Sequence, residues 1–440
     1  MPATAKLGGV GIFHLVNDRA MRARGLAGNH CVFVLELAGK LDPARLDVRL
    51  ARAVSDLPEL RFRLKSGFPP LLNPPSWVID AGRPPPRADI LTAGRDESAA
   101  VEARIEARVD GNTPWAVDLV RGDDHDLVLF RWFQPLVDGK GALRLVRWLG
   151  SGEPDEPVHP PPENERYEAS ERPLRDLDRD TRVALIRAYG NYALDLGKTP
   201  IMSLATVAPR KGNGGRMRFV RAVLTEDETV RFDARVRKIA RLAETHVMLL
   251  AAARVVDRAL QRRGYAPAQH IIPLPLSLDP KAGATRLLGN NLTMMLLSIS
   301  RDDLADEARG IAHLAEQQRY IVRHKLDVGM LAALEFASRF PRPAYQWLAD
   351  RPFHGEMASL VASNPGTLSI DAFAGVPVRD AYVLPAAVLP PGFQVVFTRF
   401  AGRLSAAVIY VDTVVSRGEA AMLAAELKAE LCAESLMSGD

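Results

Sequence analysis

The segment Arg131-Trp132-Phe133-Gln134-Pro135-Leu136-Val137-Asp138-Gly139-Lys140-Gly141 concentrates the chain's capacity for chemistry. Gln134 brings an amide that donates and accepts hydrogen bonds but has no accessible protonation equilibrium. It can hold a hydroxyl or an amine in place, or donate to an oxyanion, but it cannot take a proton. Pro135 biases Gln134 toward an extended backbone. The nine histidines form no pair at metal-ligand spacing. His125 sits in a turn, His246 on a helix, and His14, His30, His159, His270, His313, His324 and His354 are scattered. Cys31 and Cys432 are two lone cysteines, which excludes a disulfide framework and a thiolate metal site. Gly8-Gly9-Val10-Gly11 and Gly212-Asn213-Gly214-Gly215 are Gly-rich, but neither carries a phosphate-loop or dinucleotide fingerprint between a strand and a helix. No Gly-x-Ser-x-Gly elbow occurs.

The elements that must position these groups are legible. Residues 30–38 form a strand pattern, punctuated by Gly39 and Asp42-Pro43, and an amphipathic helix follows to about Val54. Residues 59–64 alternate at period two, as a half-buried strand does. Strands are expected at 115–121 and 126–132, joined by the turn Gly122-Asp123-Asp124, and a helix begins near Gly139. Beyond it, a strand at 216–224 leads to Thr225 and Glu228, a capping box that opens a helix. A largely apolar helix covers 245–262. Strands at 269–277 and 290–300 and a helix at 303–323 come next. The C-terminal part carries strands near 367–371, 379–383, 394–400 and 405–412, and a closing helix at 416–434.

The whole chain sets further bounds. Its 440 residues suggest two or three domains. We expect a first unit over 1–151, a crossing over 152–175 with five prolines in 152–164, and a second unit over 176–440. A composition 47% hydrophobic and 25% charged is that of a globular chain. The net charge of +4 is spread without a basic block, which speaks against nucleic acid. The N-terminus lacks a charged-then-apolar leader, and no apolar run reaches the roughly 18 residues that span a bilayer. The expectation is a cytoplasmic protein with no transmembrane segment.

Phe133-Gln134-Pro135-Leu136-Val137-Asp138-Gly139 resembles a degenerate His-His-x-x-x-Asp-Gly signature. That signature belongs to the condensation-domain and chloramphenicol-acetyltransferase-like acyltransferases, which include wax-ester-synthase and alcohol-acetyltransferase relatives. Further similar stretches follow in order: Leu35 to Asp42, Leu57 to Arg63, Pro114-Trp115, Thr245 to Ala252, Leu288-Gly289-Asn290-Asn291 and Ser363-Asn364-Pro365-Gly366. The resemblance implies an α/β (α+β) fold of two lobes with mixed sheets, V-shaped, with a tunnel between them.

In that family an acyl donor on coenzyme A or a carrier-protein pantetheine meets an acceptor beside the second histidine, where this chain has Gln134. The signature's Asp is structural and pairs with an Arg, which makes Asp138 and Gly139 scaffold residues; Arg286 and Arg301 are the candidate partners. Phe133 replaces a mainly structural histidine and should be core packing. His246 borders the expected tunnel and is a candidate relocated base. Trp115, Asn291, Ser363 and Asn364 are candidate substrate-binding residues. No bound cofactor is implied; acyl-CoA or a phosphopantetheinyl carrier protein is the expected co-substrate. Three functions follow. The first is transfer of an acyl group to an amine or alcohol in secondary-metabolite or lipid biosynthesis. The second is a module that recruits a carrier protein or tailoring enzyme without chemistry. The third is cyclisation or elimination on a thioester-bound intermediate.

Overall fold

The computed structural model describes residues 4–66, 74–93, 96–151, 166–167, 172–208, 214–239, 243–279 and 286–433. The first half runs β1 (Thr4–Lys6), α1 (Gly9–Ala23), β2 (His30–Leu37), α2 (Pro43–Asp56), β3 (Phe62–Lys65) and β4 (Ser76–Ile79). It continues through β5 (Asp89–Thr92), α3 (Glu97–Ile105), β6 (Trp115–Arg121), β7 (Asp126–Phe133) and α4 (Gly139–Gly150). The second half begins with α5 (Arg179–Leu196), β8 (Met217–Val223), α6 (Glu226–Ile239), α7 (Glu244–Arg262), β9 (Gln269–Ser277) and β10 (Leu292–Ser300). Then come α8 (Arg301–Ala305), α9 (Glu307–Arg323), α10 (Leu326–Ala337) and α11 (Arg342–Asp350). The chain closes with β11 (Val361–Thr367), β12 (Ala372–Phe373), β13 (Val376–Leu384), β14 (Phe393–Phe400), β15 (Arg403–Val411) and α12 (Arg417–Cys432).

Two mixed sheets carry the architecture. The larger has six strands in the order β12-β13-β2-β7-β6-β5, with β5 parallel to β6. The other has four, β11-β14-β15-β8, with β11 parallel to β14. Strands β2 and β7 are buried nearly throughout, which explains their unbroken apolar runs. The β12–β13 hairpin, more than two hundred positions downstream of β7, pairs with β2 from Val378↔Leu37 to Leu384↔Val32. The second half therefore lends two strands to the sheet of the first. One apolar cluster runs through both halves, from Val32 and Leu129 to Met248, Val395 and Val408.

Local chemistry sets most boundaries. Asp42 accepts the Ala44 N–H ahead of Pro43 and opens α2. Thr225 and Glu228 exchange the two bonds of a capping box at α6. Three expectations need correction. Residues 59–64 are not one strand: Pro58 starts a short 3-10 turn (Pro58–Arg61), and β3 begins only at Phe62. The helix expected at 303–323 is broken, because Asp306 leaves helical geometry and caps α9 through the Arg309 N–H. The strand expected near 367–371 comes earlier, as β11, with Ser363-Asn364-Pro365-Gly366 as its bulged middle. The proline-rich crossing lies almost wholly outside the described residues. No helix among the described residues is long and apolar enough to cross a membrane.

Candidate functional site

Asp138 ends the β7–α4 connection, and its carboxylate is completely buried. Oδ1 accepts the Gly141 N–H at 2.9 Å and so caps α4. Oδ2 accepts from Arg286 Nη2 at 2.8 Å and from the Asn291 N–H at 2.8 Å. Arg286 is thus the partner of Asp138. Arg301, the other candidate, turns to Asp257 instead. Arg286 Nη2 also reaches Asp279, which Arg144 holds from the other side at 2.6 Å. Burial opposes charge on Arg286, but Asp138 and Asp279 outweigh it and raise its pKa. Burial likewise opposes the Asp279 carboxylate, yet Arg286 and Arg144 bring it down to about 2. The backbone completes the clasp: Asp138 N–H donates to Gly289 O, and Gly289 N–H donates to Leu136 O. The 286–291 loop of the second half therefore grips the Gln134–Asp138 segment of the first.

The glycines of this segment differ. A Cβ on Gly141 would lie 2.5 Å from Val137 Cγ2 and 3.2 Å from Arg286 Nη1, whereas one on Gly139 would meet nothing within 4 Å. Gly141→Ala should destabilise the fold by about 1–3 kcal/mol through overpacking, with Gly139→Ala close to neutral. Urea midpoints of the two variants check this; equal midpoints would contradict the clasp geometry.

Gln134 is held by its backbone. Its N–H donates to Asn29 O at 3.1 Å, and its carbonyl accepts from Asn290 Nδ2 at 3.0 Å. Its side chain is half-buried, and Oε1 accepts from Cys31 Sγ at 2.7 Å. Burial pushes the Cys31 thiol up to about 12, so at neutral pH it is a donor and not a nucleophile. The amide N–H groups of Gln134 have no partner among the described residues. Chemically, Gln134 therefore offers two unpartnered N–H donors, with one lone pair of its amide oxygen engaged by the Cys31 thiol. Phe133 is core, as expected: it is buried and meets Trp77 edge-on at 6.4 Å.

The structure distributes the other candidates unevenly. Trp115 is committed to the core, stacked on Phe130 with its indole N–H on Leu60 O, which leaves it no group for a ligand. Asn291 belongs to the clasp: its Nδ2 donates to Asp279. Asn364 donates to Thr245 Oγ1, and the neighbouring His246 places Nε2 2.8 Å from Gln318 Oε1 on α9. Ser363 stands beside Asn364 in β11, half-buried. Burial lowers the His246 pKa. These contacts run between α7, α9 and β11, and none joins His246 to the Gln134 segment. A cavity of about 690 Å³ follows one face of α9, lined by His313, Gln317 and Tyr320 among others, and it includes neither Gln134 nor Asp138.

Residues that the sequence did not place beside Gln134 complete its surroundings: His14, Asn29, Cys31 and Asn290. No local signal marks them, because the β2–β7 register and the docking of α1 bring them there. His14 and His30 are both pushed down to about 4, chiefly by burial. A histidine with a depressed folded pKa binds fewer protons than the unfolded chain between about 6.5 and 4. Stability should therefore fall as pH drops through that window, by on the order of 3 kcal/mol from His30 alone. Denaturant midpoints at pH 7 and 4.5 test this; His30→Gln should flatten the slope if it folds, and an unchanged slope would refute the assignment.

No family model and no curated protein matches this sequence. Solved structures do resemble it. A trichothecene 15-O-acetyltransferase from Fusarium sporotrichioides superposes with a TM-score of 0.70 at 12% identity, over 98% of this chain and 95% of that one. The first condensation domain of the calcium-dependent antibiotic synthetase gives 0.65 at 16% identity, over 98% and 96%. A wax ester synthase/diacylglycerol acyltransferase from Marinobacter aquaeolei gives 0.58 at 15%, over 94% and 97%. With two mixed sheets, a shared hairpin and a buried Asp–Arg clasp behind Gln134, the chain has the fold of the condensation-domain and chloramphenicol-acetyltransferase-like acyltransferases.

Proposed function

We propose that this protein transfers an acyl group from a coenzyme A or carrier-protein thioester to a neutral amine, with Gln134 acting as a hydrogen-bond donor. The observation that carries the reading is the state of the Gln134 amide. The Cys31 thiol donates to its oxygen and orients the amide, while its N–H groups have no partner among the described residues. Such a donor stabilises the oxyanion that develops when a thioester carbonyl is attacked, an effect worth about 10²–10³ in rate per donor. An amine needs no base to become nucleophilic. The departing thiol, with a reference pKa of about 8.5, leaves readily as thiolate. An alcohol acceptor would lose the roughly 10²–10⁴ that general-base catalysis supplies. The similarity to an acetyltransferase, a condensation domain and a wax ester synthase supports acyl transfer as the reaction class.

The test is to incubate the protein with acyl-CoA and acyl-carrier thioesters and a panel of amines and alcohols, following product by mass spectrometry and thiol release. Amide formation above the buffer rate supports the proposal. Binding of a carrier protein without product from any donor would replace it with the recruitment reading.

A further inference from the structure

Gln134 is not alone in keeping an unpartnered donor among the described residues. His14 lies on α1, half-buried. Asn29 sits between the two residues and binds both. Its backbone carbonyl accepts the Gln134 N–H at 3.1 Å, while its side-chain Nδ2 stands 3.0 Å from His14 O and 3.3 Å from His14 Nδ1. Asn29 is itself fixed, since its N–H donates to Asp18 Oδ1 at 2.8 Å. An amide nitrogen that faces Nδ1 donates to it, so the proton of the neutral imidazole belongs on Nε2. Nε2 has no partner among the described residues and is not one of the sealed, unpaired buried atoms. No other histidine near Gln134 among the described residues offers this. His30 spends Nε2 on Ile105 O and seals Nδ1 in the core.

We propose that His14 is a second hydrogen-bond donor to the oxygen that Gln134 serves, so that the site is a two-donor cradle for the oxyanion of amine-on-thioester transfer. This rests on the acyl-transfer reading above and adds a catalytic residue to it. The step balances without any protein base. The amine lone pair attacks the carbonyl carbon and forms the C–N bond, and the carbonyl electrons move onto oxygen, where His14 Nε2–H and the Gln134 amide receive them. Collapse restores the C=O bond and breaks C–S. The thiolate leaves and takes the proton released by the ammonium nitrogen, giving an amide and a free thiol. Burial keeps His14 neutral above about pH 4, and protonating Nδ1 would set its N–H against the Asn29 amide. The imidazole is therefore an electrophile throughout the working range.

The test combines kinetics with an activity-independent readout. With an acyl-CoA and a reactive primary amine, His14→Leu should lower kcat by about 100-fold with little change in KM for the thioester. His14→Gln, which keeps an N–H donor, should recover at least tenfold of that loss. In the wild-type protein, ¹⁵N NMR should show His14 as the Nε2–H tautomer, without titration between pH 5 and 8. If wild type makes amide and His14→Leu matches it within twofold, the inference falls and the acyl-transfer reading stands. If wild type makes no amide, the reading itself falls and takes this inference with it. An Nδ1–H tautomer, or titration near 6.5, overturns the inference whatever the turnover and even if His14→Leu does not fold.

Discussion

Replacing Arg286 with leucine should destabilise the protein by about 3–5 kcal/mol, the usual result of stranding a buried charge. Arg286 is only 4% exposed, and Asp138 is fully buried. Without the guanidinium, Asp138 keeps the Gly141 and Asn291 N–H groups but loses its only cationic partner among the described residues. Asp279 fares better, because Arg144 and Asn291 still reach it. The loss is a large share of the roughly 5–15 kcal/mol that hold an ordinary domain together. Lysine at 286 should recover only part of it, because one ammonium cannot serve Asp138, Asp279 and Gly289 O from a planar fork. Asp138→Asn in the Arg286→Leu background should also recover part, since it removes the stranded charge. Urea midpoints measure all three. A shift below about 0.5 kcal/mol for Arg286→Leu would mean that the clasp does not hold the halves. The clasp should also weaken in acid. Asp279 has a depressed pKa, so its contribution is full above the ordinary value near 4 and fades as pH falls toward 2.

Gln134→Ala should lower kcat by about 10²–10³ while KM for the thioester moves little, the pattern expected when a group acts mainly in the transition state. Stability should change little, because the backbone bonds to Asn29 and Asn290 do not involve the side chain. Gln134→Glu is the sharper variant. It keeps the size of the side chain and an oxygen for the Cys31 thiol, but it replaces the donor with an anion where negative charge must develop. It should be at least as inactive as alanine. Steady-state kinetics of the two variants beside wild type decide the matter. Full activity in the glutamate variant would show that the amide N–H groups play no part.

The scaffold of this site could be read in the sequence because its signals are local. Asp138 caps a helix that its own neighbours begin, and Thr225 with Glu228 does the same for α6. The strands β2, β6 and β7 announce themselves by apolar runs bounded by turn residues. Arg286 was one of two named partners for Asp138, and only the fold of the 286–291 loop decides between them. What stayed hidden is non-local. Helix α1 begins at Gly9, a residue type that disfavours helix, yet a Cβ there would lie 2.6 Å from the Glu335 backbone N. The glycine is needed for α1 to dock on α10, and that docking positions His14. Cys31 meets Gln134 through the register Cys31↔Trp132, which no spacing in the sequence reveals. Trp115, read as a substrate contact, is a core residue because Leu60 O satisfies its indole.

The most direct test of base-free transfer is the pH–rate profile of the wild-type protein with an amine acceptor. Expressed per unit of neutral amine, kcat/KM should be flat from about pH 6 to 8.5, because neither Gln134 nor a neutral His14 titrates there. A tenfold fall per unit below a midpoint between about 5.5 and 7.5, abolished by His246→Gln, would contradict the account and place a working base on α7.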